Sequence, residues 1–231
     1  MTEQFYPSVD DPRHESLTEK IQEICREYSA QCIDMVRYYE LPEKDADFLK
    51  TDFSHEALWI RTLPDLFISP LNPPPFFLDV KTKANPKYQN VAVELSSFYW
   101  SLRRNIQDFS GINCGHLYAT RDLQAKIRVF SPLLVKVKKT IISKHHWFKH
   151  SHLPWEQETI ELFRRYATCT NSIIDERDRT SGSGDPFVLI PQTRLEKHPI
   201  LSDFLCNQQM RVEYLSRKRI LATSLQRFQN V

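Results

Sequence analysis

A tract with four prolines lies inside residues 64–83, PDLFISPLNPPPFFLDVKTK. Proline has no backbone N–H and a fixed φ angle, so this tract fits neither a helix interior nor a central strand. The runs on either side, 58–69 and 76–82, are apolar and rich in aromatic residues, a composition that favours strands. We therefore expect two neighbouring strands joined by a wide turn.

Charged side chains stand near the ends of both runs. Positions i and i+2 of a strand share a face, so Asp79 and Lys81 point the same way while Val80 points into the opposite layer. If the runs pair, Asp65 lies beside Asp79. Adjacent carboxylates repel each other, and Mg²⁺ or Mn²⁺ is the natural ion to neutralise them. Because a nearby lysine can position a water or stabilise a pentavalent phosphate, the pattern indicates metal-assisted phosphodiester hydrolysis.

The composition is that of a soluble protein of the cell interior. The 231 residues, 41% of them hydrophobic, suffice for one substantial core with a helical appendage. No apolar run has the length of a membrane span, and the N-terminus lacks the pattern of a signal peptide. The five cysteines are scattered, as expected for reduced structural thiols. We therefore expect a cytoplasmic protein with no membrane partner.

The charges are distributed unevenly, although the net charge is only +2. Residues 1–80 carry 7 Lys/Arg against 16 Asp/Glu, whereas residues 81–150 carry 13 against 3. A basic block of this kind favours a surface for a polyanion, and nucleic acid is the usual one. The alternative is a solvated basic face that only offsets the acidic first third of the chain.

The remaining segments complete an α/β order. The apolar stripe of Leu17, Ile21, Ile24 and Tyr28 predicts a first helix that begins near Pro12. The other predicted elements are a strand at 31–39, a helix at 91–109, strands within 114–122 and 126–139, a helix at 155–168, a strand at 187–191 and mostly helix at 199–228. We expect an αβββαβ core in residues 1–150, with a central mixed sheet flanked by helices, and a mainly helical extension in residues 151–231.

The two acidic motifs resemble those of a known family of nucleases. Pro64–Asp65 is followed by Asp79-Val80-Lys81, after a helix and within the αβββαβ order. This arrangement resembles the PD-(D/E)xK nuclease superfamily, which includes restriction endonucleases, Holliday-junction resolvases and RecB-type exonucleases. The resemblance covers roughly residues 12–130, and it leaves the branch open between the resolvases and the RecB-type enzymes. It implies a restriction-endonuclease-like core.

The resemblance also implies roles for the motif residues. Asp65 and Asp79 would bind Mg²⁺ or Mn²⁺, and the main-chain carbonyl of Val80 would add a ligand. Lys81 would be the catalytic lysine.

The superfamily often adds one more metal ligand from the first helix. His14 lies on the sheet-facing side near the start of that helix and Glu15 is adjacent to it, so both are candidates. The RecB-type branch has a histidine in this helix and a Gln-x-x-x-Tyr motif on the next one. Here Glu94 and Tyr99 depart from that motif in residue type and spacing, and a surface role for Glu94 is the better interpretation.

Basic residues downstream of the motif are candidates for phosphate contacts. Such side chains release counterions without reading sequence, although each one singly also fits a solvated surface position. The candidates are Lys83 and Lys87 beside the site, Arg103 and Arg104 on the next predicted helix, and Lys136 and Lys138 on one face of an extended segment.

The sequence thus predicts an Mg²⁺- or Mn²⁺-dependent deoxyribonuclease whose partner is DNA. Because many enzymes of this superfamily cut both strands as dimers, the resemblance also allows a homodimer. One alternative is a non-catalytic nucleic-acid-binding or assembly protein that retains the fold. The other is a structural or protein-binding α/β domain.

Overall fold

The computed structural model describes residues 12–35, 63–82, 89–95, 97–98, 115–143, 154–177 and 187–227. Within these ranges the chain is a mixed α/β protein. Its elements are α1 (Pro12–Glu27), β1 (Gln31–Asp34), β2 (Leu66–Ser69), β3 (Phe76–Val80), β4 (Asn90–Glu94), β5 (Gly115–Arg121), β6 (Ile127–Phe130), β7 (Lys139–Ser143), α2 (Pro154–Thr170), β8 (Ile173–Arg177), β9 (Phe187–Pro191), α3 (Gln192–Leu195), α4 (Leu201–Cys206) and α5 (Gln208–Arg227).

The first sheet has five strands in the order β1-β2-β3-β5-β6. The β1–β2, β2–β3 and β5–β6 pairs are antiparallel, whereas β3 and β5 run parallel. A parallel pair needs a crossover connection, and the chain makes one between residues 81 and 114. The two apolar runs on either side of the proline tract therefore pair as neighbouring strands, as predicted.

A second sheet replaces part of the single central sheet that we expected. It has the order β4-β9-β7-β8, with antiparallel β4–β9 and β7–β9 pairs and a parallel β7–β8 pair. The predicted boundary between the core and the helical extension, at residue 150, falls inside this sheet. The sheet joins β4 and β7 to β8 and β9.

The start of the predicted helix at 91–109 was wrong. Residues 90–94 form β4, and helical residues begin at Leu95. Val91 and Val93 are buried while Ala92 is exposed, which is the alternation of a strand with one covered face. The pairing with β9, which lies far along the chain, decides in favour of a strand where the local pattern also fits a helix.

Helix α1 forms as its apolar stripe predicts. Pro12 occupies the first helical position, where its missing N–H costs nothing, and Leu17, Ile21 and Cys25 are buried along one face. Tyr28 lies beyond the end of the helix and is 40% exposed, so it does not extend the stripe. The first turn of α1 therefore stands over the sheet in a fixed orientation.

Two hydrophobic cores cover the two faces of the first sheet. Leu78 and Val80 of β3 pack in a core to which α1, α4 and α5 contribute Leu17, Ile21, Phe204 and Leu215. Tyr118 and Phe130 point to the other face and join a core with β4, β9 and α2. Because side chains alternate along a strand, Asp79 shares the face of Tyr118. Asp79 is therefore enclosed between the two sheets.

The C-terminal helices, which form as predicted, hold the proline tract in place. Arg211 of α5 is fully buried, and its guanidinium donates hydrogen bonds to the carbonyls of Asn72 and Pro74. Gln208 donates to the carbonyl of Pro73 over 2.9 Å. Nη1 of Arg211 donates to the carbonyls of Phe204 and Leu205. A buried charge needs such hydrogen bonds, and here they fix the connector between β2 and β3 to α5.

A buried histidine links α5 to the turn after α3. The hydroxyl of Tyr214 accepts the N–H of Ser131 at 3.1 Å and lies 2.7 Å from Nδ1 of His198. Burial, with nearby Arg217 and Arg128, lowers the pKa of His198 to about 4. A neutral ring that carries its proton on Nε2 can accept the proton of the Tyr214 hydroxyl at Nδ1, whereas a protonated ring has no acceptor to offer. The folded protein therefore holds this histidine neutral.

We expect the free energy of unfolding to fall as the pH is lowered from about 6.5 to about 4. In this window the unfolded chain protonates His198 and the folded protein does not, which amounts to about 3 kcal/mol. The measurement is urea unfolding at several pH values. His198→Asn, which keeps an acceptor for Tyr214 but does not titrate, should flatten the slope; an unchanged slope would contradict this account.

Candidate active site

The register of β2 and β3 brings the two predicted acids together. Leu66 lies opposite Leu78, so one further residue along this antiparallel pair Asp65 faces Asp79. The backbone N–H of Val80 donates to Oδ2 of Asp65 over 2.6 Å. Asp65 thus continues the β2–β3 ladder with its side chain, which orients its carboxylate at the end of both strands.

Asp79 and Lys81 form a largely buried ion pair on the face that the i, i+2 spacing predicted. The Nζ atom of Lys81 lies 3.0 Å from Oδ1 of Asp79, and the side chains are 20% and 8% exposed. The N–H of Lys81 also donates to the carbonyl of Ala119, which extends the β3–β5 pairing past Val80. This backbone bond fixes the base of the lysine side chain relative to the acid.

The ion pair keeps both groups charged despite their burial. Burial favours a neutral Asp79, but the attraction of Lys81 and His116 outweighs it and lowers the pKa of the carboxyl. Burial likewise disfavours a charged Lys81, yet Asp79, Glu94 and Asp65 together raise the pKa of its ammonium. Lys81 is therefore a fixed cation at neutral pH.

His14 completes the site from the first turn of α1. Its Nε2 atom lies 3.4 Å from Oδ2 of Asp65. The hydrogen bond to Asp65 raises the pKa of His14, against the opposing effect of burial. Burial and the repulsion of Asp79 raise the pKa of Asp65, and His14 opposes both. The side chain of His14 is 30% exposed and that of Asp65 20%, so the site opens to solvent here.

The two candidates on α1 are placed differently. His14 contacts Asp65, whereas Glu15 is exposed on the helix surface. Glu94, for which a surface helix position was the better interpretation, instead ends β4 and attracts Lys81 electrostatically. Tyr99 lies outside the described residues.

A layer of buried polar groups lies beneath Asp79. The hydroxyl of Ser97 donates to Oδ2 of Asp79 over 2.9 Å and lies 3.1 Å from the hydroxyl of Tyr118. Nε2 of His116 is 3.9 Å from the same carboxylate oxygen. Sequence reasoning missed these residues. The alternation of His116 and Tyr118 along one strand was a usable signal. The parallel register that sets Tyr118 opposite Asp79, however, cannot be derived from the sequence of either strand alone.

The donor set suits a hard cation that keeps most of its water. Among the residues described, no group of three or more His, Cys, Asp or Glu side chains has the arrangement of a metal site. The donors at hand are the carboxylates of Asp65 and Asp79 and the carbonyl of Val80, with His14 next to Asp65. Mg²⁺ is commonly bound by only one or two carboxylates together with waters and substrate phosphates. These residues fit such an ion.

Most of the predicted phosphate contacts cannot be placed relative to the site. Lys83, Lys87, Arg103 and Arg104 lie outside the described residues. Lys136 and Lys138 are exposed while Val135 and Val137, which alternate with them, are buried, as the alternation predicted. This segment leads into β7 of the second sheet, where Lys138 lines a groove of about 450 Å³ with Asp175 and Glu176 of β8.

Comparison with known proteins adds no assignment. No family model, no curated protein and no solved structure matches this chain. None of the described helices is long and apolar enough to cross a membrane.

Removal of one partner of the buried ion pair should lower the free energy of unfolding strongly. Removal of both partners should lower it by less than the sum of the two single changes. Lys81→Met leaves the Asp79 carboxylate buried without its cation, and we expect a loss of about 3 kcal/mol in the free energy of unfolding. Asp79→Asn with Lys81→Met should cost less than the sum of the single changes by about 1–2 kcal/mol. Urea denaturation in the presence of a chelator measures all three variants.

The exposed pair Lys20–Glu23 provides the matched control. Lys20→Met should change the stability little, because both groups of that pair are well solvated. Strict additivity at Asp79 and Lys81 would show that the two charges do not stabilise each other.

Proposed function

We propose that this protein is an Mg²⁺- or Mn²⁺-dependent deoxyribonuclease of the PD-(D/E)xK type. The observation that carries the proposal is the meeting of Asp65, Asp79 and Lys81 at the ends of two paired strands. The αβββ order at the start of the described chain, with the later strand β5 parallel to β3, supports it as well. Two carboxylates and a lysine in this arrangement are suited to hydrolysis of a phosphodiester.

Each side chain has a role that follows from its surroundings. Asp65, Asp79 and the carbonyl of Val80 would hold the ion, and His14 would orient Asp65 or, when neutral, join the ligands. Such an ion supplies an activated water and neutralises charge on the phosphate. Lys81, which lies beside Asp79, would donate a hydrogen bond from its ammonium to a phosphate oxygen.

DNA is the proposed substrate because of the basic block at residues 81–150. Its exposed members among the residues described are Arg121, Lys126, Lys136 and Lys138, and such side chains are suited to contact phosphates without reading bases. A homodimer that presents two such sites would cut both strands.

A non-catalytic DNA-binding protein on the same fold is the second candidate. One observation favours it, namely that Lys81 and Ser97 already engage the two carboxylate oxygens of Asp79. In that case the acids would serve only to neutralise Lys81 within the fold. The two candidates differ in whether cleavage depends on Asp65 and on a divalent ion.

We expect the purified protein to cleave DNA with Mg²⁺ or Mn²⁺ and to lose at least about a hundredfold in rate with Asp65→Ala or Lys81→Ala. Supercoiled plasmid and end-labelled linear duplex report endonuclease and exonuclease activity respectively. DNA binding, measured by fluorescence anisotropy in a chelator, should persist in both variants because phosphate contacts elsewhere supply most of the affinity.

Asp203→Ala and Lys20→Ala are the matched controls, since both residues are exposed on helices. They should cleave at the wild-type rate. Cleavage that survives Asp65→Ala, or that requires no divalent ion, would rule out the proposed site. DNA binding without any cleavage would favour the second candidate.

A further inference from the structure

We propose that Ser97 and Tyr118 are positioning residues that hold the carboxylate of Asp79 in its metal-binding orientation. The inference rests on the proposed function, because it concerns the same site. Neither residue would touch the metal or the substrate. They act through Asp79, and the superfamily motif does not include them.

The first step is the geometry at Asp79. Lys81 holds Oδ1 at 3.0 Å and Ser97 holds Oδ2 at 2.9 Å. A carboxylate that is bonded at only one oxygen can still rotate about its χ2 angle, which is a soft torsion. Contacts to both oxygens from different elements remove that freedom. The plane of the carboxylate then keeps one orientation.

The second step is the direction of the hydrogen bonds. A carboxylate only accepts, so the single hydroxyl proton of Ser97 is committed to Asp79. In the 3.1 Å contact between the two hydroxyls, Tyr118 must therefore be the donor to Ser97. The chain of bonds runs from Tyr118 through Ser97 to Asp79. Tyr118 thereby fixes the rotor of the serine hydroxyl.

The third step is the exclusion of water from this chain of bonds. Ser97 is 3% exposed and Tyr118 is fully buried, so solvent does not compete for either hydroxyl. Tyr118 lies opposite Asp79 in the β3–β5 register, and its ring stacks on His116 with the centroids 5.3 Å apart. In a site of low dielectric constant such bonds are stronger than in water. The orientation of Asp79 is therefore set before any ion arrives.

Mn²⁺ binding measured by isothermal titration calorimetry tests the inference without any need for cleavage. We expect Ser97→Ala to weaken binding by about tenfold, as the loss of such an outer partner typically does. Tyr118→Phe, which removes one oxygen from a packed ring, should weaken it several-fold. In the Ser97→Ala background the effect of Tyr118→Phe should be smaller than in the wild type, because the route from Tyr118 through Ser97 to Asp79 is then absent. Ser97→Thr, which keeps the hydroxyl, should restore binding.

Matched controls separate positioning from general loss of a buried hydroxyl. Tyr166 is a fully buried tyrosine whose hydroxyl bonds the carbonyl of Pro132, and Ser172 is hydrogen-bonded to Thr140. Tyr166→Phe and Ser172→Ala should lower the melting temperature without a change in Mn²⁺ affinity. If Ser97→Ala does not fold, the comparison of Tyr118→Phe with Tyr166→Phe decides the question.

The outcomes distinguish this inference from the proposed function. If the wild type binds Mn²⁺ and the Ser97→Ala and Tyr118→Phe variants bind it with the same affinity, the positioning role is overturned and the metal site stands. Equal weakening by Tyr118→Phe and Tyr166→Phe would also overturn it. Absence of Mn²⁺ binding in the wild type would overturn the proposed function, and the inference with it.

Discussion

The antiparallel pairing of β2 with β3 is the contact on which the site depends. It sets Asp65 opposite Asp79, and the bond from the Val80 N–H to the Asp65 carboxylate extends the ladder beyond its last backbone pair. The proline tract makes the connection wide, and α5 holds that tract through Arg211. A slip of one residue would turn Asp79 into the opposite core, so the register is strongly specified.

Burial of charge explains why so many polar groups surround Asp79. A carboxylate that is 8% exposed is stable only when paired and hydrogen-bonded, and Lys81 and Ser97 supply both kinds of contact. Lys81 in turn gains from Glu94 of the second sheet. The second sheet is thus part of the site: it contributes Glu94, and the segment that follows β4 contributes Ser97. The resulting arrangement holds a fixed cation beside two acids.

The features that could be predicted from the sequence are those that short-range spacing and local composition determine. The i, i+2 spacing placed Asp79 and Lys81 on one face, and the proline tract between two apolar runs indicated their pairing. The stripe on α1 brought His14 near Asp65. The second sheet and the Ser97–Tyr118 pair were missed because they depend on strands far apart in the chain. The segment with Val91 and Val93 also fits a helix, and its pairing with β9 decides in favour of a strand.

A divalent ion shared by Asp65 and Asp79 is the feature on which the proposed chemistry depends. Crystals grown with Mn²⁺, with data collected at the manganese absorption edge, test it directly through the anomalous difference map. We expect a single strong peak about 2.1 Å from a carboxylate oxygen of each residue. A map with no peak between the two carboxylates, or with manganese bound only elsewhere on the protein, would contradict the account.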